Sequence, residues 1–190
     1  PKLEGTTVTI YDSTLRDGEQ MPGVSFTRRE KVEIAGILAD IGLPQIEAGF
    51  PAVSHDEAAT VRHISNMGLG PDILALSRTC RRDIDAAVES EADMVMLFTA
   101  TSDLHLKYKY MMTRGEQLEK VQDAFDYAND NGIKFSFSTE DSTRTDKQYM
   151  LDIFHMAAGS GACRIGIADT TGCIMPNALG KLVKELSGEF

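Results

Sequence analysis

The feature that most constrains this chain is an alternation repeated along its length. Short apolar runs that suit strands, "TVTIYD", "PQIEAGF", "DILALS", "DMVMLFTAT", "KFSFSTE" and "CRIGIAD", are separated by segments whose apolar residues recur near every 3.6 positions. Ile34, Ile37, Leu38 and Ile41 form one such stripe, Leu118, Val121 and Phe125 a second, and Leu179, Leu182, Val183 and Leu186 a third. Thr27 with Glu30, Ser54 with Glu57, Thr113 with Glu116 and Thr145 with Gln148 have the spacing of a capping box, which predicts helix starts there. Gly42, Gly68, Gly132 and Gly161 follow the helical patterns, where a left-handed residue ends a helix. Strands that alternate with helices in this way run parallel and are joined by right-handed crossovers. Six such units fit into residues 1–190, with no linker or shift of composition to mark a second domain.

An open doubly wound sheet and a (β/α)8 TIM barrel both accommodate that pattern. The first strand is followed by no GxGxxG, and no GxxxxGK[ST] occurs, so the common nucleotide-binding open sheets lose support. Each strand is apolar in its body and polar at its C-terminal end. Asp12 to Gln20, Glu47, Ser77 and Arg78, Thr99 to Asp103, Ser138 to Arg144, and Asp169 to Thr171 mark the six ends. Barrel enzymes assemble their sites from such ends around one mouth. The expected fold is therefore the first six βα units of a barrel, with the charged stretch "DSTLRDGEQ" facing its mouth.

Composition narrows the function. A formal charge of −10 argues against general nucleic-acid binding, and no run approaches the roughly 18 apolar residues of a membrane span. The N-terminus has no basic-then-apolar leader pattern. Three cysteines without a CxxC suit a reducing cytoplasm, with Cys163 and Cys173 expected as small buried thiols in or beside the sixth strand. The methionines, including Met94, Met96, Met111 and Met112, suit core filling. His63 and His155 are expected as surface or packing residues on faces away from the mouth, and His105 lies beside Lys107 and Lys109 in a basic cluster that either meets the phosphates of a nucleotide-bearing substrate or is a solvated face.

The string "DSTLRDGEQMPGVSF" resembles the signature of the metal-dependent acyl-CoA:2-oxo-acid acyltransferases, the 2-isopropylmalate, citramalate and homocitrate synthases, which are barrel enzymes related to HMG-CoA lyase. "IEAGFPAVS", "ATSDLHLKYK", "STEDSTRTD" and "GIADTTG" match further segments of that family in order, so the resemblance covers nearly the whole chain. It implies condensation of acetyl-CoA with a small 2-oxo acid, a divalent metal ion (Mg²⁺, Mn²⁺ or Zn²⁺) and a homodimer of the full-length enzyme. Asp17 is then a metal ligand, and Arg16 lies beside the ketone oxygen to stabilise the developing alkoxide. Glu140 takes part in acid–base chemistry near the thioester, and Arg144 orients it or forms a structural ion pair. Thr170 binds the carboxylate of the 2-oxo acid, Gln20 and Ser138 are further substrate contacts, and Glu47 supports Arg16. Gly18 allows close approach of the backbone.

Synthases that take 2-oxoglutarate carry a His and an Arg at positions that correspond here to Leu76 and Ser136. With Leu97, these residues favour an acceptor with an apolar side chain, 2-oxoisovalerate or pyruvate. Homocitrate synthesis from 2-oxoglutarate stays open, because some homocitrate synthases lack that His and Arg. A lyase acting on a hydroxyacyl-CoA, and an inactive fragment, are the other readings. The family completes its metal site with a His-x-His on the seventh strand. His55, His63, His105 and His155 do not have that spacing. The remaining ligands, strands seven and eight and any C-terminal domain are thus expected beyond Phe190, in a longer enzyme of which this chain is the N-terminal part.

Overall fold

The computed structural model describes residues 7–190, so the start of any leader pattern lies outside the described residues. Six strands alternate with helices: β1 (Tyr11–Asp12), β2 (Gln45–Gly49), β3 (Asp72–Arg78), β4 (Met94–Ala100), β5 (Phe135–Glu140) and β6 (Ile165–Ile167). The helices are α1 (Arg28–Asp40), α2 (His55–Ser65), α3 (Arg81–Glu89), a single turn α4 (Asp103–His105), α5 (Arg114–Asp130), α6 (Lys147–Gly159) and α7 (Pro176–Leu186). Among the described residues no helix is long and apolar enough to cross a membrane. Two compact units are present. One ends at Ser77 and takes in Arg82–Val95; the other consists of Arg78–Arg81 and Met96–Phe190.

In the first unit β1, β2 and β3 pair in parallel, with Tyr11 opposite Gln45 and Ile46 opposite Ile73. Helices α1 and α2 pack on β2 and on each other around Ala35, Leu38, Ile46, Ala48, Val61 and Ile64. β1 is shorter than its apolar run. Its partner β2 begins at Gln45, opposite Tyr11, and Val8 and Ile10, ahead of that pairing, are exposed. In the second unit β5 pairs in parallel with β6, and α5 and α6 pack together. Phe125, Phe135, Phe137 and Phe154 form its aromatic core, with ring centroids 5.3, 5.0 and 6.4 Å apart along the chain of contacts.

The capping boxes at Thr27–Glu30 and Thr113–Glu116 close reciprocally. Ser54 caps α2, but the Glu57 side chain turns elsewhere. The cap of α6 is Asp146, not Thr145, whose hydroxyl is taken by Thr101 and by the Asp141 carbonyl. Gly42, Gly68, Gly132 and Gly161 all have positive φ at the helix ends where they were expected. The strand β6 covers only the middle of "CRIGIAD", which leaves Cys163 outside it; Cys163 and Cys173 are exposed, not buried. Met94 is a core residue, whereas Met111 is on the surface.

A single lysine fixes the first unit around the future site. Lys31, on the buried face of α1, is 2% exposed and bonds Glu19 Oε2 at 2.6 Å and both carboxylate oxygens of Glu57 at 2.8 Å. Glu57 also accepts the Phe50 N–H, and Glu19 accepts that of Phe26. The ammonium thus ties the loop after β1, the end of β2 and α2 into one cluster. Gly49 is the residue that leaves room, since a Cβ there would overlap Glu57 Oε1. Lys31→Met leaves two carboxylates facing each other without their cation. It should cost about 3–5 kcal/mol, read as a lower midpoint of urea unfolding. An unchanged midpoint would mean that the cluster contributes nothing net.

Candidate active site

After β1 the chain turns sharply: the Ser13 carbonyl accepts the N–H groups of Arg16, Asp17 and Gly18 at 3.2, 2.8 and 3.2 Å. Leu15 is fully buried and anchors the turn. Its neighbour Arg16 reaches Asp17 Oδ1 through Nη1 at 2.7 Å and Glu47 Oε2 through Nη2 at 2.9 Å. Glu47 projects from β2 and is 0% exposed. Burial works against the Arg16 charge, but Glu47 and then Asp17 outweigh it, so the guanidinium is held charged above its ordinary range. Burial drives the Glu47 carboxyl upward, opposed by Arg16 and the Tyr11 hydroxyl. The result is a fixed positive charge at the end of β1 with a carboxylate, Asp17, beside it. Gln20 is exposed at the end of the same turn, and Glu19 is spent on Lys31. Leu76, on β3, is buried in this unit.

In the second unit Leu97 and Ser136 are buried on β4 and β5. Ser138 is partly buried, and Gly166 makes room for it, since a Cβ there would lie 2.9 Å from the Ser138 hydroxyl. Glu140 ends β5 and accepts Lys109 Nζ at 2.6 Å on Oε2. Lys109 comes from a π-helical turn, Leu106–Tyr110, closed by Met111 in a left-handed conformation. His105 Nε2 lies 3.5 Å from the other oxygen, Oε1. Its Nδ1 faces Asp141 Oδ2 at 3.1 Å and Ser102 Oγ at 2.8 Å.

Asp141 is fully buried with φ of +63°, an uncommon conformation for a residue other than glycine. Its carboxylate takes Arg144 Nε at 2.7 Å, so Arg144 pairs with Asp141 and not with Glu140. Its N–H donates to the Thr170 hydroxyl at 2.9 Å, which ties the "ADTTG" turn to the end of β5. In that turn Asp169 accepts the Thr143 hydroxyl and the N–H groups of Cys173 and Ile174.

Sequence reasoning placed His105 among lysines; the structure turns it toward two carboxylates instead. The available signal was the Ser102-x-x-His105 spacing, which sets the imidazole one helical turn from an N-cap hydroxyl. Asp141 and Lys31 escape sequence reasoning, because nothing local marks them as buried. Asp17 contributes one carboxylate, engaged with Arg16. Among the described residues no three His, Cys, Asp or Glu side chains gather into a group that could hold a metal ion. The residues present therefore do not make up a metal site by themselves.

The Asp141 carboxyl gives a test of this geometry. Burial alone would raise its pKa, but Arg144, Ser102 and His105 outweigh that and hold it below the usual carboxylate range. A depressed folded-state value stabilises the fold above the unfolded pKa and loses that contribution as pH falls through the folded one. The advantage of the wild type over Asp141→Asn should be full above about pH 4 and shrink at lower pH, read by chemical unfolding across a pH series. A difference independent of pH would show that the charge on Asp141 is not what matters.

Comparison with known proteins gives the same assignment from three directions. The HMGL-like family model matches residues 7–190. A homocitrate synthase, AksA, of Methanothermobacter thermautotrophicus is 50% identical over 179 residues, which is 94% of this chain and 46% of the relative. A probable 2-isopropylmalate synthase of Ignicoccus hospitalis is 47% identical, over 93% of this chain and 44% of the relative. The chain spans under half the length of these curated relatives. The crystal structure of hydroxymethylglutaryl-CoA lyase from Pseudomonas aeruginosa superposes with a TM-score of 0.80 at 18% identity, over 96% of this chain and 64% of that one. That likeness establishes the fold, a (β/α) barrel of which this chain supplies six βα units. By its sequence and its fold, the chain belongs to the HMGL-like family.

Proposed function

We propose that this chain carries acceptor-binding and acid–base groups of an enzyme that condenses acetyl-CoA with a 2-oxo acid. In that reaction a proton leaves the acetyl methyl group and the resulting carbanion bonds to the ketone carbon. The ketone oxygen becomes an alkoxide and is protonated, and water cleaves the thioester to release CoA. The observation that carries the reading is the Arg16–Glu47 pair. A guanidinium held charged and oriented by a fully buried carboxylate suits a growing alkoxide, since no reorganisation is needed as the charge appears. Glu140 is the group we assign to proton transfer, and the Thr170 hydroxyl, with its own proton still to donate, suits the acceptor's carboxylate. Gln20, Ser138 and Arg144 are secondary contacts in this reading.

Asp17 would be one ligand of the divalent metal that the family resemblance implies, in a set completed by residues other than those described. When bound, such an ion polarises the ketone as a Lewis acid. A homodimeric enzyme working in a reducing cytoplasm is the setting we infer.

The acceptor we favour has a short apolar side chain, as in 2-oxoisovalerate or pyruvate. Leu76 and Ser136 are both buried and uncharged, and a second carboxylate buried without a cation is costly. A second reading, 2-oxoglutarate, is favoured by the 50% identity to a homocitrate synthase. Cleavage in place of condensation has only the likeness to lyase folds behind it.

Thiol release from acetyl-CoA, with Mn²⁺ or Mg²⁺ and each of the three 2-oxo acids in turn, tests the assignment. Arg16→Ala should lower turnover by about 10²–10³ without restoration by Arg16→Lys, because an ammonium cannot bridge Asp17 and Glu47 as the planar fork does. Turnover unaffected by Arg16→Ala would remove the basis of this reading. Preference for 2-oxoglutarate would select the second one.

A further inference from the structure

Glu140 is surrounded in a way that its assignment as a proton-transfer group does not by itself explain. On one side Lys109 Nζ donates to Oε2 at 2.6 Å. On the other, His105 Nε2 stands 3.5 Å from Oε1, one small side-chain movement from a hydrogen bond. Both side chains are about one-fifth exposed, so the pair is reachable from solvent but not open to it.

The far side of the imidazole fixes which nitrogen carries the proton. Nδ1 meets the carboxylate of Asp141, Oδ2 at 3.1 Å, and the Ser102 hydroxyl at 2.8 Å. The Ser102 oxygen also accepts the His105 backbone N–H. A bare lone pair at Nδ1 would face a buried carboxylate, so Nδ1 holds the hydrogen. The neutral ring then presents its lone pair at Nε2, toward Glu140. The backbone supports the arrangement, because Asp141 is held in its left-handed conformation by the bond from its N–H to Thr170 and by Arg144 on its carboxylate.

We propose that His105 is a positioning residue for Glu140, holding its carboxyl beside Nε2 and taking over the proton that the carboxyl acquires. In that transfer the O–H bond at Oε1 breaks and an N–H bond forms at Nε2, leaving an imidazolium between two carboxylates and Glu140 ready to accept again. The reverse step returns the proton. Asp141 and Glu140 stabilise the imidazolium; Arg144 and Lys109, one bond further out, oppose it. The catalytic consequence rests on the reading of Glu140 given above, whereas the coupling of the two side chains is measurable without turnover.

The test is a histidine-selective nitrogen and carbon NMR titration of the whole chain. In the wild type His105 should show the Nδ1–H tautomer at high pH. In Glu140→Gln its pH series should differ from that of the wild type, since the carboxylate beside Nε2 is replaced by a neutral amide. Where thiol release is observed, His105→Gln should shift the pH–rate profile and lower the rate about tenfold. An Nε2–H tautomer in the wild type, or a His105 titration untouched by Glu140→Gln, would overturn the proposal. A coupled titration without thiol release from any 2-oxo acid would uphold the pairing and remove the condensation reading instead.

Discussion

The geometry of the first unit hangs on an ammonium group shut away from water. Lys31 takes a position on α1 that helical periodicity reserves for an apolar side chain, and three segments meet on it through Glu19 and Glu57. Removing an ion from water is expensive, and only nearby opposite charge and full hydrogen bonding offset the cost. Here two carboxylates do so, each also satisfying a backbone N–H. The loop that carries Arg16 and Asp17 is therefore held from both ends: by the buried Leu15 and by Glu19, four residues further on. A purely apolar contact at Lys31 could fill the space but would leave the azimuth of that loop undetermined.

Both units use a fully buried carboxylate in the same way. Glu47 and Asp141 each sit out of reach of solvent, and each holds a nitrogen base that is itself partly exposed. The buried acid thus orients the group in front of it. Around Glu47 burial and ion pairing oppose one another; around Asp141 three donors win over burial. The difference follows from the number of donors, and it makes the first pair sensitive to any loss of Arg16 and the second more tolerant.

Much of this was legible in the chain. The strands β2 to β5 fall where their apolar runs lie, and the Thr27–Glu30 and Thr113–Glu116 boxes close as their spacing predicts. These are local signals, carried by residues a few positions apart. What the chain hid depends on distant partners. The stripe that faces inward on α1 is Lys31, Ala35 and Leu38, while Ile37 and Ile41 face solvent; both stripes have helical spacing, and the partners of Lys31, Glu19 and Glu57, are distant in sequence. Thr145 and Asp146 are both good caps, and the choice falls to Asp146 because Thr145 is claimed by Thr101 and the Asp141 carbonyl. The ends of β1 and β6 were overestimated because an apolar run records what can pair, not what has a partner. Among the candidate residues, Arg16, Asp17 and Glu140 stood out through their motifs, and Glu47 through its charge in an apolar strand. The turn of His105 toward Asp141 required knowing where β5 ends.

The π-helical turn at Leu106–Tyr110 has a consequence for how this segment can vary in length. A π turn accommodates one residue more than an α turn over the same span, and such turns recur where a side chain must be aimed. Deleting Lys107 or Tyr108 would wind this turn toward α register. A π turn takes up its extra residue locally, so the segments before and after it would keep their places and the change would fall on the residues inside the turn. Lys109 is one of those, and the aim of its ammonium at Glu140 is therefore set by the extra residue and not by the elements on either side.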